Sequence, residues 1–102
     1  IADSQAETYA ARCMILDAAR RRDAGEDVTM LASCTKLFAT EACGRVADRA
    51  VQVFGGAGYV TDYGIERFYR DVRIFRLYEG TTQIQQIIIA RELARAAKAG
   101  KL

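Results

Sequence analysis

The sequence predicts an all-α fold, an antiparallel up-down helical bundle with one short extra helix. Three observations predict it. No proline occurs in the 102 residues, so no helix turn loses a backbone donor or meets a proline ring. Before residue 55 glycine occurs only at Gly25 and Gly44, which leaves long stretches uninterrupted. Apolar residues recur at helical steps, and no strand, repeat or low-complexity segment stands out.

The first helix runs from about Ala2 to Asp23. Tyr9, Cys13, Leu16 and Ala19 recur at helical spacing and predict its inward stripe. Arg12, Arg20, Arg21 and Arg22 lie mostly elsewhere on the wheel, and basic residues suit a helix C-terminus. Ala24-Gly25 ends it. A second helix spans about Thr29 to Val53, with Thr29 as the expected N-cap. Met30, Cys34, Leu37, Phe38, Ala42, Val46, Ala50 and Val53 trace one face. Gly44 lies inside this helix at a cost of about 1 kcal/mol against Ala, which implies close helix packing there.

"FGGAGYVTDYG" must end the second helix, because glycine readily takes the left-handed conformation that closes helices. Residues 64 to 74 read as a short charged helix with Ile65, Phe68, Tyr69 and Val72 as its apolar stripe, and Arg70-Asp71 is expected to pin it to a neighbour. The last helix spans about Thr82 to Lys98. Ile84, Ile87, Ile88, Leu93 and Ala94 are expected inward, and Thr82 with Gln85 fits the capping-box spacing. Three long helices and one short one make a thin bundle, so a further helix, upstream or from another chain, is expected to cover the open face.

Composition narrows the function. About half the residues are hydrophobic and the net charge is +2 with both signs mixed, which gives little support to nucleic-acid or anionic-membrane binding. No apolar run is long enough to span a membrane, and no secretory signal pattern is present. The chain opens on Ile1, as expected of a processed chain or a piece of a longer one. Cys13, Cys34 and Cys43 are odd in number and no histidine is available for a zinc site, so buried free thiols in a reducing compartment are expected.

Two stretches carry possible chemistry. "GGAGYVT" lacks the last glycine of a dinucleotide fingerprint, since position 61 is Thr, and it follows a helix rather than a strand. A helix stop explains part of it. Three glycines exceed what a stop requires, and bare backbone lets a ligand approach closely. "YEGTT" is the more specific stretch. Glu79 reads either as a surface acid favoured by the positive end of the last helix or as a general base. A base that removes a proton next to a carbonyl must lie about 3 Å from the carbon and away from competing water. An adjacent aromatic such as Tyr78 helps desolvate it. Gly80 leaves room for substrate, and the turn can offer N–H groups to a carbonyl oxygen that gains charge.

"KLFATEACGRVADRAVQVFGG" and "ERFYRDVRIFRLYEGTTQIQ" strongly resemble the C-terminal helical domain of the acyl-CoA dehydrogenases. The resemblance covers nearly the whole chain and is densest from Lys36 to Arg95. It implies an FAD-dependent oxidoreductase that desaturates acyl-CoA thioesters to trans-2-enoyl-CoA. Glu79 would take the α-proton, a hydride would leave the β-carbon for the flavin N5, and an electron-transfer flavoprotein would reoxidise the FAD. The Glu79 N–H would help polarise the thioester carbonyl, with Tyr78 and Gly80 against the substrate. Thr81, Thr82 and Gln83 match FAD-contacting positions at the last helix start. Gln52, Val53, Phe54, Gly55 and Gly56 match a stretch that contacts FAD bound mainly by a neighbouring subunit, which implies a homo-oligomer, a dimer or tetramer. The compartment implied is the bacterial cytoplasm or the mitochondrial matrix.

Family members are several times longer, with an N-terminal helical domain and a middle β-domain. The resemblance therefore makes residues 1–102 part of one domain, expected to be inactive alone. The alternative is a non-catalytic helical oligomerisation module descended from that family. Retained Glu79, Gly80 and Gln83 favour the enzyme, since an assembly module needs none of them. A relative acting on a nitroalkane or another acidic substrate is a third reading.

Overall fold

The computed structural model describes residues 1–101, which run through four α-helices: α1 (Ala2–Asp23), α2 (Thr29–Phe54), α3 (Ile65–Val72) and α4 (Thr82–Lys98). Single 3-10 turns occupy Gly55–Gly58, Thr61–Tyr63 and Arg73–Arg76, and no strand occurs among the described residues. The architecture is the expected all-α one, with α2 as its axis: α1, α3 and α4 each pack chiefly on α2. The short helix is briefer than the expected residues 64–74, because the chain tightens into the 3-10 turn after Val72.

The α1–α2 corner follows from two side chains and one glycine. Gly25 takes φ 83, and this left-handed turn lets the Glu26 N–H donate back to the Arg21 carbonyl. The Asp27 carboxylate then accepts from the Thr29 N–H at 3.0 Å and the Thr29 hydroxyl at 2.7 Å. Those two bonds hold the Asp27 carboxyl below its ordinary range. Thr29 is thus the first residue of α2 and not its N-cap: Val28 occupies that position, and the capping oxygen comes from Asp27.

The inward face of α1 differs from the expected stripe. Ser4, Glu7, Ala11, Met14 and Ala18 are half-buried at steps of three and four, whereas Tyr9, Cys13, Leu16 and Ala19 are exposed, Tyr9 by 66%. Mostly short side chains let α1 approach α2 closely. Glu7 closes the contact, accepting from Arg45 Nε at 2.7 Å and Arg49 Nη1 at 2.6 Å. On α4, Gln85 is buried and Ile88, Ile89, Glu92 and Ala96 are half-buried. Of the five residues expected inward there, only Ile88 is covered; Ile84, Ile87, Leu93 and Ala94 face out. On α3, Phe68 and Tyr69 are likewise exposed, and Arg70 and Asp71 form no ion pair among the described residues.

The core is correspondingly small. Among the described residues Ala42 and Ala47 are its only buried hydrophobic ones, joined by Ser33, Thr35 and Gln85. The cysteines are not buried as expected: Cys13 is exposed, and Cys34 and Cys43 are half-covered. Gly44 is explained by a side chain rather than by a neighbouring helix backbone. A Cβ there would lie 3.0 Å from Arg76 Nη2, because the Arg76 guanidinium rests on that glycine. No helix among the described residues is long and apolar enough to cross a membrane.

Candidate active-site loop

The loop that joins the Arg73–Arg76 turn to α4 carries Tyr78, Glu79 and Gly80 in an unusual backbone. Glu79 has φ 54, and it is the only non-glycine residue with positive φ among those described. Gly80 follows at φ 86. Two successive left-handed residues bend the chain sharply, and Glu lacks the short side chain that makes Asn or Asp tolerant of that region. Gly80 is demanded by its own surroundings as well. A Cβ there would stand 2.7 Å from Gln85 Nε2, in addition to the strain of positive φ.

Donors from α2 and α4 hold this turn from below. Lys36 Nζ donates to the Tyr78 carbonyl at 3.2 Å and the Gly80 carbonyl at 2.5 Å. Buried Gln85 donates through Nε2 to the carbonyls of Glu79 at 3.4 Å and Gly80 at 3.3 Å. Three consecutive carbonyls are thereby satisfied from within the protein, while the Glu79 carboxylate, exposed, has no hydrogen bond or ion pair among the described residues. Tyr78 stacks on Phe75 with ring centroids 5.9 Å apart and 23° between planes, which gives the loop an aromatic side.

The start of α4 corrects the expected capping box by one residue. Thr81 is the N-cap, its hydroxyl oxygen accepting from the Ile84 N–H at 3.3 Å. Thr82 and Gln85 do not pair with each other. Thr82 donates its hydroxyl to Glu41 Oε1 at 2.8 Å, and Gln85 turns to the loop carbonyls. Glu41 Oε2 meets Arg76 Nη1 at 3.3 Å, so one carboxylate on α2 ties both flanks of the loop. The capping bond leaves the Thr81 hydroxyl proton free, and Gln83 is exposed.

Gln52 to Gly56 lie elsewhere. At 1.5 Å per residue, Gln52 is about 24 Å further along α2 than Lys36, so one chain does not bring the two stretches together. All five residues are exposed, and Phe54 packs edge-on against Tyr63 with centroids 6.4 Å apart. Gly55 closes α2 at φ 60. A Cβ on Gly56 would meet nothing within 4 Å and its φ is not positive, so no contact among the described residues demands glycine there. Gly58 differs, since its Cβ would lie 2.5 Å from the Val51 carbonyl oxygen.

Lys36, Glu41 and Gln85 have a part in this loop that spacing did not reveal. Lys36 acts across 42 and 44 residues of sequence. The available signal was its isolation: it is the only charged residue between Leu31 and Thr40.

The helical scaffold thus presents the Glu79 carboxylate, unpaired among the described residues, on a strained turn at a helix start. The family model for "Acyl-CoA dehydrogenase, C-terminal domain" matches residues 1–94. The chain belongs to the acyl-CoA dehydrogenase family. It is 46% identical over 97 residues to the cyclohexane-1-carbonyl-CoA dehydrogenase of Geobacter metallireducens, covering 95% of this chain and 26% of that protein. It is 41% identical over 95 residues to the caffeyl-CoA reductase-Etf complex subunit CarC of Acetobacterium woodii, covering 93% of this chain and 25% of that protein. Butyryl-CoA dehydrogenase from Megasphaera elsdenii superposes with a TM-score of 0.87 at 35% identity, over 91% of this chain and 24% of that one. The chain thus spans about a quarter of the length of the curated relatives it matches.

Proposed function

We propose that this chain works as the C-terminal helical part of an FAD-dependent acyl-CoA dehydrogenase that converts acyl-CoA thioesters to trans-2-enoyl-CoA. The observation that carries the reading is the Glu79 turn. A surface acid that merely complements a helix dipole needs no left-handed backbone, and strain of that kind gathers where function requires a fixed geometry. Glu79 is the α-proton base. Its carboxylate is free to accept a proton, and its backbone cannot relax away while Lys36 and Gln85 hold the carbonyls around it. The Glu79 N–H polarises the thioester carbonyl, which lowers the cost of removing the neighbouring proton. Tyr78 and Gly80 border the substrate, one as an apolar wall and one as clearance.

The residues matched to FAD-contacting positions suit a polar, partly planar group. Thr81 keeps a hydroxyl proton to donate, Gln83 is exposed, and Gly56 leaves bare backbone that no described residue fills. Thr82 fits less freely, because its proton is spent on Glu41. Bound FAD supplies the two-electron acceptor of the reaction. The separation of Gln52–Gly56 from the Glu79 loop supports a flavin shared between two copies of the protein. The name of the Acetobacterium woodii relative supports an electron-transfer flavoprotein as the redox partner.

Anaerobic titration of the full-length protein with saturated acyl-CoA thioesters tests this reading. Bleaching of the oxidised flavin band with formation of one 2-enoyl-CoA per flavin is expected. A protein that binds no FAD and leaves a graded chain-length series of thioesters unchanged would favour the oligomerisation module instead.

A further inference from the structure

We propose that Lys36 is a positioning residue for the base: it holds the peptide planes that aim the Glu79 carboxylate. The inference rests on the reading of Glu79 as that base. The direction of a side chain leaves the backbone along Cα–Cβ, and φ and ψ set that direction. At Glu79 these angles are fixed by the peptide units on either side. The carbonyl of Tyr78 belongs to the peptide before Glu79, and the carbonyls of Glu79 and Gly80 belong to the next two. Lys36 Nζ binds the first and third of these, so its ammonium spans the residue whose φ is 54. Gln85 binds the second and third but not the first. The peptide that precedes the base therefore depends on Lys36 alone among the described side chains.

Charge strengthens the arrangement. An ammonium donor makes stronger hydrogen bonds to carbonyls than a neutral donor does. Lys36 also comes from the first third of α2, the best-packed element, and is only half-exposed. A long side chain anchored on a rigid helix converts the position of α2 into the position of the loop. Its three donors suit convergent carbonyls, which explains a lone cation in an otherwise uncharged stretch.

The test compares Lys36→Met, Lys36→Arg and Glu79→Gln in the full-length flavoprotein, by stopped-flow reduction of bound FAD with acyl-CoA and its α-deuterated form. Lys36→Met should keep its FAD and its KM while kcat falls about 10- to 100-fold, the loss expected when a reacting group is displaced by about 1 Å. The α-deuterium isotope effect on flavin reduction should rise, because proton removal becomes the slower step. Lys36→Arg, which retains donors, should recover most of the rate. If Lys36→Met does not fold, Lys36→Gln, which keeps a neutral donor, is expected to give the same split of kcat from KM with a smaller loss. A rate unchanged in the neutral variant, or a loss wholly explained by missing FAD, would overturn the inference. Glu79→Gln separates the two claims. If it loses reduction while Lys36→Met does not, only the positioning role fails. If Glu79→Gln reduces normally, the base itself lies elsewhere.

Discussion

Glu79 and Gly80 show how a local backbone cost is held in a fixed geometry. Holding a non-glycine residue in the left-handed region costs about 1–3 kcal/mol and persists only when the surroundings over-determine it. Here Lys36 and Gln85 supply that constraint through three carbonyls, and Glu41 ties Arg76 and Thr82 on the two flanks. Gly80 answers two demands in one position, a φ of 86 and the side chain of Gln85 at 2.7 Å from any Cβ. Gly80→Ala should therefore destabilise the loop by about 1–3 kcal/mol, the range for a side chain forced into that backbone. Urea unfolding of the full-length protein would read it as a lower midpoint at unchanged slope. An unchanged midpoint would mean that the turn has an unstrained alternative.

At the scale of elements, α1 is tied to α2 by the Glu7 ion pairs as well as by close packing of short side chains. Arg49 first, and Arg45 with it, hold the Glu7 carboxyl below its ordinary 4.5. A depressed carboxyl stabilises the folded state above its unfolded value, and that contribution is lost as pH falls through the lower folded value. Amide exchange along α1, corrected for the intrinsic rate, should therefore accelerate as pH drops below about 4.5, the ordinary Glu7 value. Glu7→Gln should be fast-exchanging already at neutral pH and show little further change. Equal acid sensitivity in the two proteins would remove Glu7 from the contact. The helix limits were legible in the sequence because glycines and charge clusters punctuate it. The inward faces of α1 and α4 were less so. Hydrophobic spacing records every surface a helix buries, and Tyr9, Leu16, Ile84, Ile87 and Leu93 find no cover among the described residues. The caps shifted because neighbouring residues compete. Asp27 reaches the α2 start before Thr29 can, and Thr81 precedes Thr82 by one residue. Of the loop, Glu79 and Gly80 stood out by composition and by resemblance, while the Lys36 clamp depends on a fold that closes 42 residues of chain.

The whole molecule is long and open. It measures 55 × 23 × 21 Å with a radius of gyration of 16.7 Å, where a compact domain of this length has about 13 Å. Its accessible surface is 7400 Å², against about 5,700 Å² for a compact monomer of this mass. The excess is about twice the roughly 800 Å² that each partner gives to an ordinary protein interface. Such a scaffold reaches its working shape when other surface covers it, which agrees with family members of which this chain spans a quarter. On the proposed function, other parts of the protein would enclose substrate and flavin, and this chain would deliver the base on the Glu79 turn. The reading of Glu79 as the base is tested most directly by the rate of FAD reduction by acyl-CoA in full-length Glu79→Gln. Flavin content should be unchanged while the rate falls by about 10²–10⁴, the usual contribution of a positioned general base. Reduction at the wild-type rate, with the same flavin content, would contradict the claim.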